Sequence, residues 1–379
     1  MAYETMVGDT TSSRYRSDHQ RLTSKDLYEA QVRWAIFSKI TFLKALGVES
    51  FGVEAMKGFS SFMPASTKAG GMIRYDDGVY AVSGMVNATE GTSYHTGRLG
   101  SHQGQILQGG DEWSYSWHEI NANRQIPVKD IQDNGKGMIK IQAMREDEMK
   151  QSYIQDFNGS LLGNSTYAPS DYTTMGPTSV FTDLPNLISV SQTRTVGGIA
   201  KTNSYWQNGT KAITSIGGGG EMDRPLVLRR KMEKGIVVAA RNAEATLDYL
   251  LLATEGAWLY YGRLMYADSV QSGSFTVNDR YDAAGVLNYA FMKQPMIYDR
   301  AVTVPFGATA STEAIYAIHK PSLALSLRKE ENFKFSGWED PRVHDQYKTI
   351  AAMLQTRYTF VVPQMRPHTV FYNLPANSD

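Results

Sequence analysis

Hydrophobic side chains recur every three or four positions through residues 134–163, in one uninterrupted pattern. The repeating positions are Met138, Ile141, Met144, Met149, Tyr153, Phe157 and Leu161. This spacing places apolar side chains on one face of a helix, and the segment contains no proline that would interrupt it. The pattern therefore predicts a helix of roughly 35–40 Å that begins after Asn134 and Gly135 and ends at Gly163.

The charged positions of this helix predict which side faces away from the core. Glu146 and Lys150 are four residues apart, in the order that favours an ion pair on a helix surface. We expect both residues, together with Lys140, to face solvent or a neighbouring chain. The apolar side chains named above should instead pack against a sheet.

A polar segment and a second helical pattern occupy the beginning of the chain. Residues 1–23 are rich in Ser, Thr and charged residues and predict an arm without a core of its own. Thr23 and Asp26 have the spacing of a capping box, which predicts a helix that runs to Leu46 and ends at Gly47. The inner stripe of this helix would consist of Leu27, Ala30, Trp34 and Phe37.

Residues 71–131 change to a strand pattern that is interrupted by a polar centre. Trp113, Tyr115 and Trp117 alternate with polar residues, which is the two-residue period of a strand. The centre is rich in Gly, Ser and Thr and cannot bury much apolar area. We predict a long β-hairpin that projects from the body. Because isolated two-stranded hairpins are marginal in water, it should lie on a partner surface in the same chain or another.

The second half of the chain predicts a further α/β body. Asp223 is a suitable N-cap with Pro225 in the first turn, and the pattern predicts a helix from there to about Asn242. Residues 247–253 predict a short buried strand, and residues 255–266 predict a second helix.

Strand patterns return later in the chain. They occupy residues 275–327 and again residues 345–374. The order of elements predicts an α+β protein with two bodies, the first of which is interrupted and completed near the C-terminus.

The composition is that of a folded and electrically neutral chain. Of the 379 residues, 42% are hydrophobic and 11% are aromatic, which is enough for one elaborate core or two. Lys plus Arg and Asp plus Glu both number 38, and a neutral chain is poorly suited to tight generic binding of nucleic acid or membranes. The absence of cysteine excludes disulfides and thiolate chemistry. No apolar run reaches the ~20 residues of a membrane span, and the first 21 residues lack the apolar region of a signal peptide.

No pattern in the sequence predicts a catalytic site. His95 and His102 lie in the polar centre of the hairpin without a third metal ligand nearby, and His118 borders the aromatic strand face, where a hydrogen-bonded structural role is expected. The glycine run at 217–220 is followed by Glu-Met-Asp, which would repel phosphate. Adjacent carboxylates on strands point to opposite faces, so nothing directs two of them to one cleft. We predict no catalytic, cofactor-binding or metal-binding residues and no enzyme activity.

A specific motif lies in residues 181–209, which read FTDLPNLISVSQTRTVGGIAKTNSYWQNG. The segment resembles one that is common in the major capsid proteins of tailed bacteriophages, where a Gly/Asp-Leu-Pro/Asp motif precedes TVGGI-x-R-x-x-N-x-W-W. The matching positions are Leu184, Thr195, Val196, Gly197, Gly198, Ile199, Asn203, Trp206 and Asn208. The chain departs from this pattern in having Ala200 and Lys201 where Asp-Arg is frequent, and Tyr205 in place of the first Trp.

The order of predicted elements extends this resemblance to nearly the whole chain and implies the Hong Kong phage-type capsid fold. That fold has an N-terminal arm, an extended hairpin called the E-loop, a peripheral P-domain with a long spine helix, and an axial A-domain with α/β structure. The implied segments are 1–23 (arm), 24–70 (N-terminal helix and start of the P-domain), 71–117 (E-loop), 118–168 (P-domain with spine helix), 169–325 (A-domain) and 326–379 (P-domain return and C-terminus).

The resemblance implies a structural subunit that self-assembles into the hexamers and pentamers of an icosahedral head. The head would enclose double-stranded phage DNA without sequence-specific binding, and would be assembled in the bacterial cytoplasm with a portal, possible decoration proteins and no membrane. Because the first helix should start near residue 24, we expect a separate scaffolding protein, or none, and no loss of the arm. Lys68 is the one lysine close to the hairpin, and we expect no cross-linking between subunits.

Two other functions are compatible with the sequence. An encapsulin-like nanocompartment uses the same fold to hold enzymes, and particles that contain DNA would distinguish a virus from it. A β-rich hydrolase with a dispersed site would instead be a soluble monomer or small oligomer, and electron microscopy of the purified protein would separate it from a shell protein.

Overall fold

The structure is a computed structural model that describes residues 39–52, 72–76, 81–86, 111–127, 138–163, 183–213, 223–272, 279–284, 286–309, 312–338 and 349–374. The α-helices in these ranges are α1 (Thr41–Phe51), α2 (Met138–Leu162), α3 (Leu184–Leu187), α4 (Asp223–Asn242), α5 (Glu255–Ser272) and α6 (Asp279–Ala283). The strands are β1 (Ile73–Asp76), β2 (Ala81–Val86), β3 (Asp111–Ser116), β4 (His118–Pro127), β5 (Thr195–Val196), β6 (Ile199–Ala200), β7 (Gly209–Ala212), β8 (Tyr249–Ala253), β9 (Tyr289–Phe291), β10 (Gln294–Tyr298), β11 (Glu313–His319), β12 (Ala324–Arg328), β13 (Lys334–Phe335), β14 (Thr349–Val361) and β15 (Thr369–Leu374).

The predicted long helix is confirmed as α2, and its C-terminal half is the buried part. The helix is followed by Gly163, whose φ of +81° is the left-handed conformation common after a helix end. The fully buried positions of the predicted stripe are Met149, Tyr153, Phe157 and Leu161. Met144 is 52% exposed, which corrects the prediction of a single stripe, because five residues turn it about 140° away from Met149. The side chains of Met138 and Lys140 lie outside the described residues.

The predicted outward position of the charged residues is wrong for Glu146. Its carboxylate accepts a hydrogen bond from Nε1 of Trp338 at 2.7 Å, and burial raises the pKa of this carboxyl group. Lys150 is also largely covered, since its side chain is 18% exposed, and its Nζ lies 2.8 Å from Oδ1 of Asp147. Residues seven apart lie nearly above one another on a helix, so Glu146 shares the buried side with Tyr153.

A five-stranded sheet packs against the C-terminal half of α2. Its strand order is β1-β12-β14-β13, and β4 pairs with β14 as well. β4 and β14 are antiparallel from Thr349 opposite Pro127 to Tyr358 opposite His118. The ring of Phe157 in α2 meets the ring of Tyr358 edge-on, with centroids 5.0 Å apart. The long helix therefore packs on the longest strand of this sheet.

The two predicted arms of the hairpin are paired. β2 and β3 are antiparallel, with Ala81 opposite Ser116 at one end. The predicted alternation is confirmed on β3, where Trp113 and Tyr115 are buried and the other residues are exposed. β4 follows β3 after one residue, so a continuous stretch of chain begins in the hairpin and ends in the five-stranded sheet. Residues 87–110, which include the predicted tip and two histidines, lie outside the described residues.

The first helix departs from its prediction at Ile40 and at its C-terminal end. Ile40 is extended, with φ −90° and ψ 112°, so the predicted continuous helix is interrupted there and α1 begins at Thr41. α1 does not end at Gly47 but continues to the residue before Gly52. A glycine inside a helix costs about 1 kcal/mol relative to alanine, and the apolar residues buried on both sides of it outweigh that cost. Residues 1–38, with the predicted arm and capping box, lie outside the described residues.

A six-stranded mixed sheet forms the second body. Its strand order is β7-β15-β11-β8-β10-β9, in which β8 is parallel to β10 and antiparallel to β11. The predicted buried strand is confirmed, because every residue of β8 is buried. The two predicted flanking helices are present as α4 and α5, although α5 continues to Ser272. β14 and β15 are consecutive in the chain but belong to different sheets.

Buried apolar surface holds the two sheets together. One face of the six-stranded sheet packs against α4 and α5. The buried residues of this contact include Leu251 of β8 and Trp258 of α5. The other face includes Leu250 and Leu252, which belong to the same apolar cluster as Phe157 of the long helix. Alternate residues of a strand point to opposite faces, so β8 contributes to both clusters.

Candidate functional site at the base of the hairpin

The motif segment begins with a capped turn of helix. Oδ1 of Asp183 accepts a hydrogen bond from the backbone N–H of Asn186 at 3.1 Å and caps α3. Pro185 occupies the first turn, where a backbone N–H has no partner within the helix. Burial raises the pKa of Asp183 to about 6, against the opposing effect of the hydrogen bonds from Asn186. This cap starts the motif at a defined, buried position.

The Thr-Val-Gly-Gly-Ile part of the motif is a tight hairpin turn. β5 and β6 are antiparallel, with Thr195 opposite Ala200. Gly197 and Gly198 connect them with φ values of +60° and +83°. A two-residue hairpin loop of this kind needs two consecutive left-handed residues, and glycine adopts that conformation without a steric cost. The paired glycines of the motif are therefore explained by the local backbone.

This turn contacts the base of the hairpin directly. The carbonyl of Gly197 accepts a hydrogen bond from the N–H of Ser114 in β3 at 2.9 Å. A Cβ atom at Gly197 would lie 3.0 Å from Cζ of Tyr115, so the neighbouring ring also requires a glycine. Tyr115 is fully buried, and its hydroxyl donates to the carbonyl of Val362, just after β14, at 3.1 Å. We call this set of contacts to β3 the hairpin clamp.

The two aromatic residues of the motif have separate tasks. Trp206 is fully buried and donates from Nε1 to the carbonyl of Val196 at 2.8 Å, which holds the motif turn. The hydroxyl of Tyr205 donates to the carboxylate of Asp111, the first residue of β3, and accepts from Nδ2 of Asn203 at 2.9 Å. The hydrogen bond to Asp111 raises the pKa of Tyr205. Tyr205, which stands in place of the first Trp of the motif, thus adds a polar contact to the hairpin clamp.

A buried lysine lies at the centre of the motif. Lys201 is 0% exposed, and its Nζ donates to the carbonyl of Leu187 at 2.7 Å, to Oγ of Ser189 at 2.8 Å and to Oδ1 of Asn208 at 2.6 Å. Three acceptors match the three donors of an ammonium group. Burial, and secondly the charge of Arg194, lowers the pKa of Lys201 to about 7. In the sequence, Lys201 differs from the capsid motif only in replacing a frequent Arg. Because lysine is seldom fully buried, no local pattern predicted that Lys201 would be.

A second polar cluster joins α1, α2 and the end of β10. Oδ2 of Asp299 accepts a hydrogen bond from the N–H of Phe42 at 3.2 Å. Oδ1 of Asp299 accepts from Nδ2 of Asn158 at 2.9 Å and from the N–H of Ala301 at 3.0 Å. The residue before α1, Ile40, has no capping side chain, so a carboxylate 257 residues away satisfies an N–H of the first turn. Sequence reasoning missed Asp299, because no local pattern pairs residues so far apart.

Histidines near β15 and β4 have structural environments. Nδ1 of His368 accepts from the N–H of His319 at 3.2 Å, and Nε2 lies 3.1 Å from the carbonyl of Ser322, where it must be the donor. Burial lowers the pKa of His368 to about 3, so the ring is neutral at pH 7. His118 lies against the ring of Tyr358, and its buried Nε2 makes no hydrogen bond with the residues that the structure describes. The predicted hydrogen bond of His118 is therefore absent at that nitrogen.

Metal-binding groups and membrane-spanning helices are both absent from the described residues. Within the described ranges, no group of three or more His, Asp or Glu side chains is placed to hold a metal ion. The helices in those same ranges include none long and apolar enough to cross a membrane. Lys68 and the glycine run at 217–220 lie outside the described residues. The contacts of the site hold β3 between the motif turn and the end of β14.

Solved structures with a similar chain path were found, whereas no protein-family model and no curated protein sequence matches this chain. The capsid asymmetric unit of cyanophage A-1(L) is 15% identical over 80% of this chain and 90% of that chain, with a TM-score of 0.56. The capsid of Myoviridae phage XM1 is 9% identical over 83% and 98%, with a TM-score of 0.48. The SrpI encapsulin of Synechococcus elongatus is 9% identical over 72% and 78%, with a TM-score of 0.43. The similarity to the cyanophage structure shows that this chain has the fold of the tailed-phage major capsid proteins.

Proposed function

We propose that this chain is the major capsid protein of a tailed bacteriophage and forms the shell of its head. The observation that carries the proposal is the fold shared with the cyanophage capsid protein over 80% of this chain and 90% of that one. Hexamers and pentamers of the chain would build an icosahedral lattice. Its formal net charge of zero avoids electrostatic repulsion that would otherwise accumulate among many identical copies.

The proposed domain division follows the two sheets except at β1, which pairs with β12 in the five-stranded sheet although it lies in the proposed E-loop segment. The P-domain would be organised around the five-stranded sheet with α2 as its spine helix, and the A-domain around the six-stranded sheet. The E-loop would extend from the pair β2 and β3. The proposed segments are 1–23 for the arm, 24–70 for the N-terminal helix, 71–117 for the E-loop, 118–168 and 326–379 for the P-domain and C-terminus, and 169–325 for the A-domain, with β15 adding a late strand to the A-domain sheet.

The hairpin clamp supports this proposal on mechanical grounds. A two-stranded hairpin is marginal by itself, and an E-loop must point in a fixed direction to reach a neighbouring subunit. The contacts of Ser114 and Tyr115 fix two successive residues of β3 to the body of the same chain. A hairpin whose base is ordered before association loses less conformational entropy on assembly.

The remaining partners follow from the proposed role. The shell would enclose double-stranded DNA, carry a portal and possible decoration proteins, and assemble in the bacterial cytoplasm with a separate scaffolding protein or none. The subunit would have no enzymatic activity and would reside in the virion. The mass of the intact protein from mature particles would show whether the arm is retained, and a single monomer band on a denaturing gel would show that subunits are not cross-linked.

Electron microscopy of the purified full-length protein tests the proposal. We expect closed shells built from hexameric and pentameric capsomers, and DNA inside particles isolated from infected cells. Shells that hold an enzyme in place of DNA would identify an encapsulin-like compartment instead. A monomer or small oligomer that forms no shells under any assembly condition would contradict the proposal and favour the hydrolase alternative.

A further inference from the structure

One helix carries a cationic surface in a chain whose total charge is balanced. Residues 228–242 of α4 contain five basic residues and one acidic residue, Glu233, whereas the whole chain has 38 of each sign. The buried side of the helix, which packs on the six-stranded sheet, consists of Leu228, Met232, Ile236 and Ala240. On the opposite side Arg230, Lys234 and Arg241 are exposed.

These three basic residues lie along one line of the helix surface. Their spacings of four and seven residues return to the same side of a helix, and the line is roughly 16 Å long. We call Arg230, Lys234 and Arg241 the cationic face.

The residues that the structure describes supply no ion-pair partner to this line. Arg230, Lys234 and Arg241 form no ion pair or side-chain hydrogen bond with any other residue that the structure describes. Like charges four residues apart, such as Arg230 and Lys234, slightly destabilise a helix. Helix stability therefore does not explain Arg230 and Lys234, although it favours Arg241, which lies in the last turn. All three positive groups are available to an external anion.

We propose that the cationic face binds the phosphate backbone of double-stranded DNA without sequence preference. A duplex presents closely and regularly spaced negative charges, which a line of exposed basic side chains can follow. Arginine, which supplies two of the three groups on the line, binds phosphate through two parallel hydrogen bonds. This inference rests on the proposed function, in which the enclosed polyanion is DNA, and it directs the outer side of α4 toward the inside of the shell.

An acidic protein surface is a poorer match to the cationic face. The centres of protein interfaces are enriched in aromatic residues, Met and Arg, and depleted in Lys and in acidic residues. Among the described side chains of α4, the only large exposed hydrophobic one is Val237, at 40%. A contact made by charge alone, without an apolar centre, is typical of sequence-independent binding to nucleic acid.

The salt dependence of DNA binding tests the proposal with matched variants of the full-length chain. The probe is a fluorescent random-sequence duplex of about 30 base pairs, titrated between about 0.05 and 0.2 M salt. Arg230→Gln combined with Lys234→Gln removes two charges from the cationic face. Arg300→Gln combined with Lys334→Gln removes one arginine and one lysine that are exposed elsewhere, and serves as the control. Thermal unfolding of each variant checks that the fold is retained.

We expect the α4 variant to bind the duplex at least about tenfold more weakly than the unmodified chain at low salt. The slope of log binding constant against log salt concentration should be less steep by ~1.8, and the control should match the unmodified chain. Equal loss in both variants, or loss in neither, would overturn the proposal. Tighter binding to polyglutamate than to the duplex, lost in the α4 variant, would also overturn it and indicate an acidic protein partner. Shell formation by the unmodified chain is scored separately by electron microscopy, so failure of DNA binding with intact shells leaves the proposed function standing.

Discussion

Replacing Gly197 with alanine should break the hairpin clamp, and Gly198 provides a matched control. Both glycines have positive φ, at +60° and +83°, so alanine at either position carries the strain of a left-handed backbone, about 1–2 kcal/mol. A Cβ on Gly198 would meet only Oγ of Ser114, at 4.0 Å, which is ordinary contact. A Cβ on Gly197 would lie 3.0, 3.1 and 3.3 Å from three atoms of Tyr115.

The ring of Tyr115 cannot move aside at low cost. It is fully buried, and its hydroxyl is bonded to the carbonyl of Val362. An extra methyl group in a well-packed site typically costs about 1–3 kcal/mol. We therefore expect Gly197→Ala to lower the free energy of unfolding by about 2–5 kcal/mol, and Gly198→Ala by about 1–2 kcal/mol.

Two measurements separate the clamp from general destabilisation. Urea unfolding of the unassembled full-length protein gives the free energy difference between the two variants. Hydrogen exchange at the amide of Ser114, which donates to the carbonyl of Gly197, reports the contact itself and should accelerate only in Gly197→Ala. If the hairpin serves assembly, Gly197→Ala should also reduce the yield of closed shells in electron micrographs more than Gly198→Ala does.

Equal destabilisation by the two substitutions would refute the reasoning, because the Tyr115 ring would then have accommodated the methyl group. A double variant gives a further check. Leucine at Tyr115 is smaller than tyrosine, so Gly197→Ala combined with Tyr115→Leu should cost less than the sum of the single changes. Simple additivity would mean that the two side chains do not compete for the same space.

Three further predictions concern buried polar groups. The folded pKa of Lys201, about 7, lies below its unfolded value of 10.5, so the chain should gain up to about 4 kcal/mol of stability as pH rises from 7 to 10; urea unfolding of Lys201→Met should lack this gain. Asp299→Ala leaves three donors without an acceptor and should lower the free energy of unfolding by about 3–5 kcal/mol, whereas Asp299→Asn keeps one acceptor oxygen and should lower it by about half as much. Urea unfolding and hydrogen exchange at the amide of Phe42 measure these effects. The folded pKa of His368, about 3, lies below its usual 6.5, so stability should fall as pH drops from 6.5 toward 3, with a smaller fall in His368→Gln.

Each of these predictions has a result that would contradict it. A wild-type stability that stays flat between pH 7 and 10 would contradict the lowered pKa of Lys201. Equal costs for alanine and asparagine at Asp299 would mean that the charge, and not the acceptor geometry, is what the cluster needs. The same loss of stability in acid for His368→Gln and the unmodified chain would contradict a buried neutral imidazole.

Elements with a strong local period could be predicted from the sequence. The long helix α2, the helix α4 and the buried strand β8 are present with nearly the expected bounds, because each is encoded by spacing within its own segment. The alternation on β3 was equally readable, since the period of two is a property of any half-buried strand. The glycine pair of the motif belongs to the same class, because a positive φ is a local requirement.

Positions that depend on a distant partner could not be predicted in this way. Met144 and Glu146 lie on the same helix, and both look ordinary in sequence. Met144 is exposed, while Glu146 bonds to Trp338, which is 192 residues away. The interruption at Ile40 likewise became clear only with the cap supplied by Asp299.

The sequence by itself determined the class of fold, the order of elements and the motif, because periodicity, turn chemistry and composition act over a few residues. Only the tertiary structure decided what the motif touches: Gly197 against Tyr115, Lys201 among three acceptors, and Asp111 bonded to Tyr205. A buried polar or close-packed atom must find its partner wherever the folded chain places one. That placement is a property of the whole chain, and no short stretch of residues encodes it.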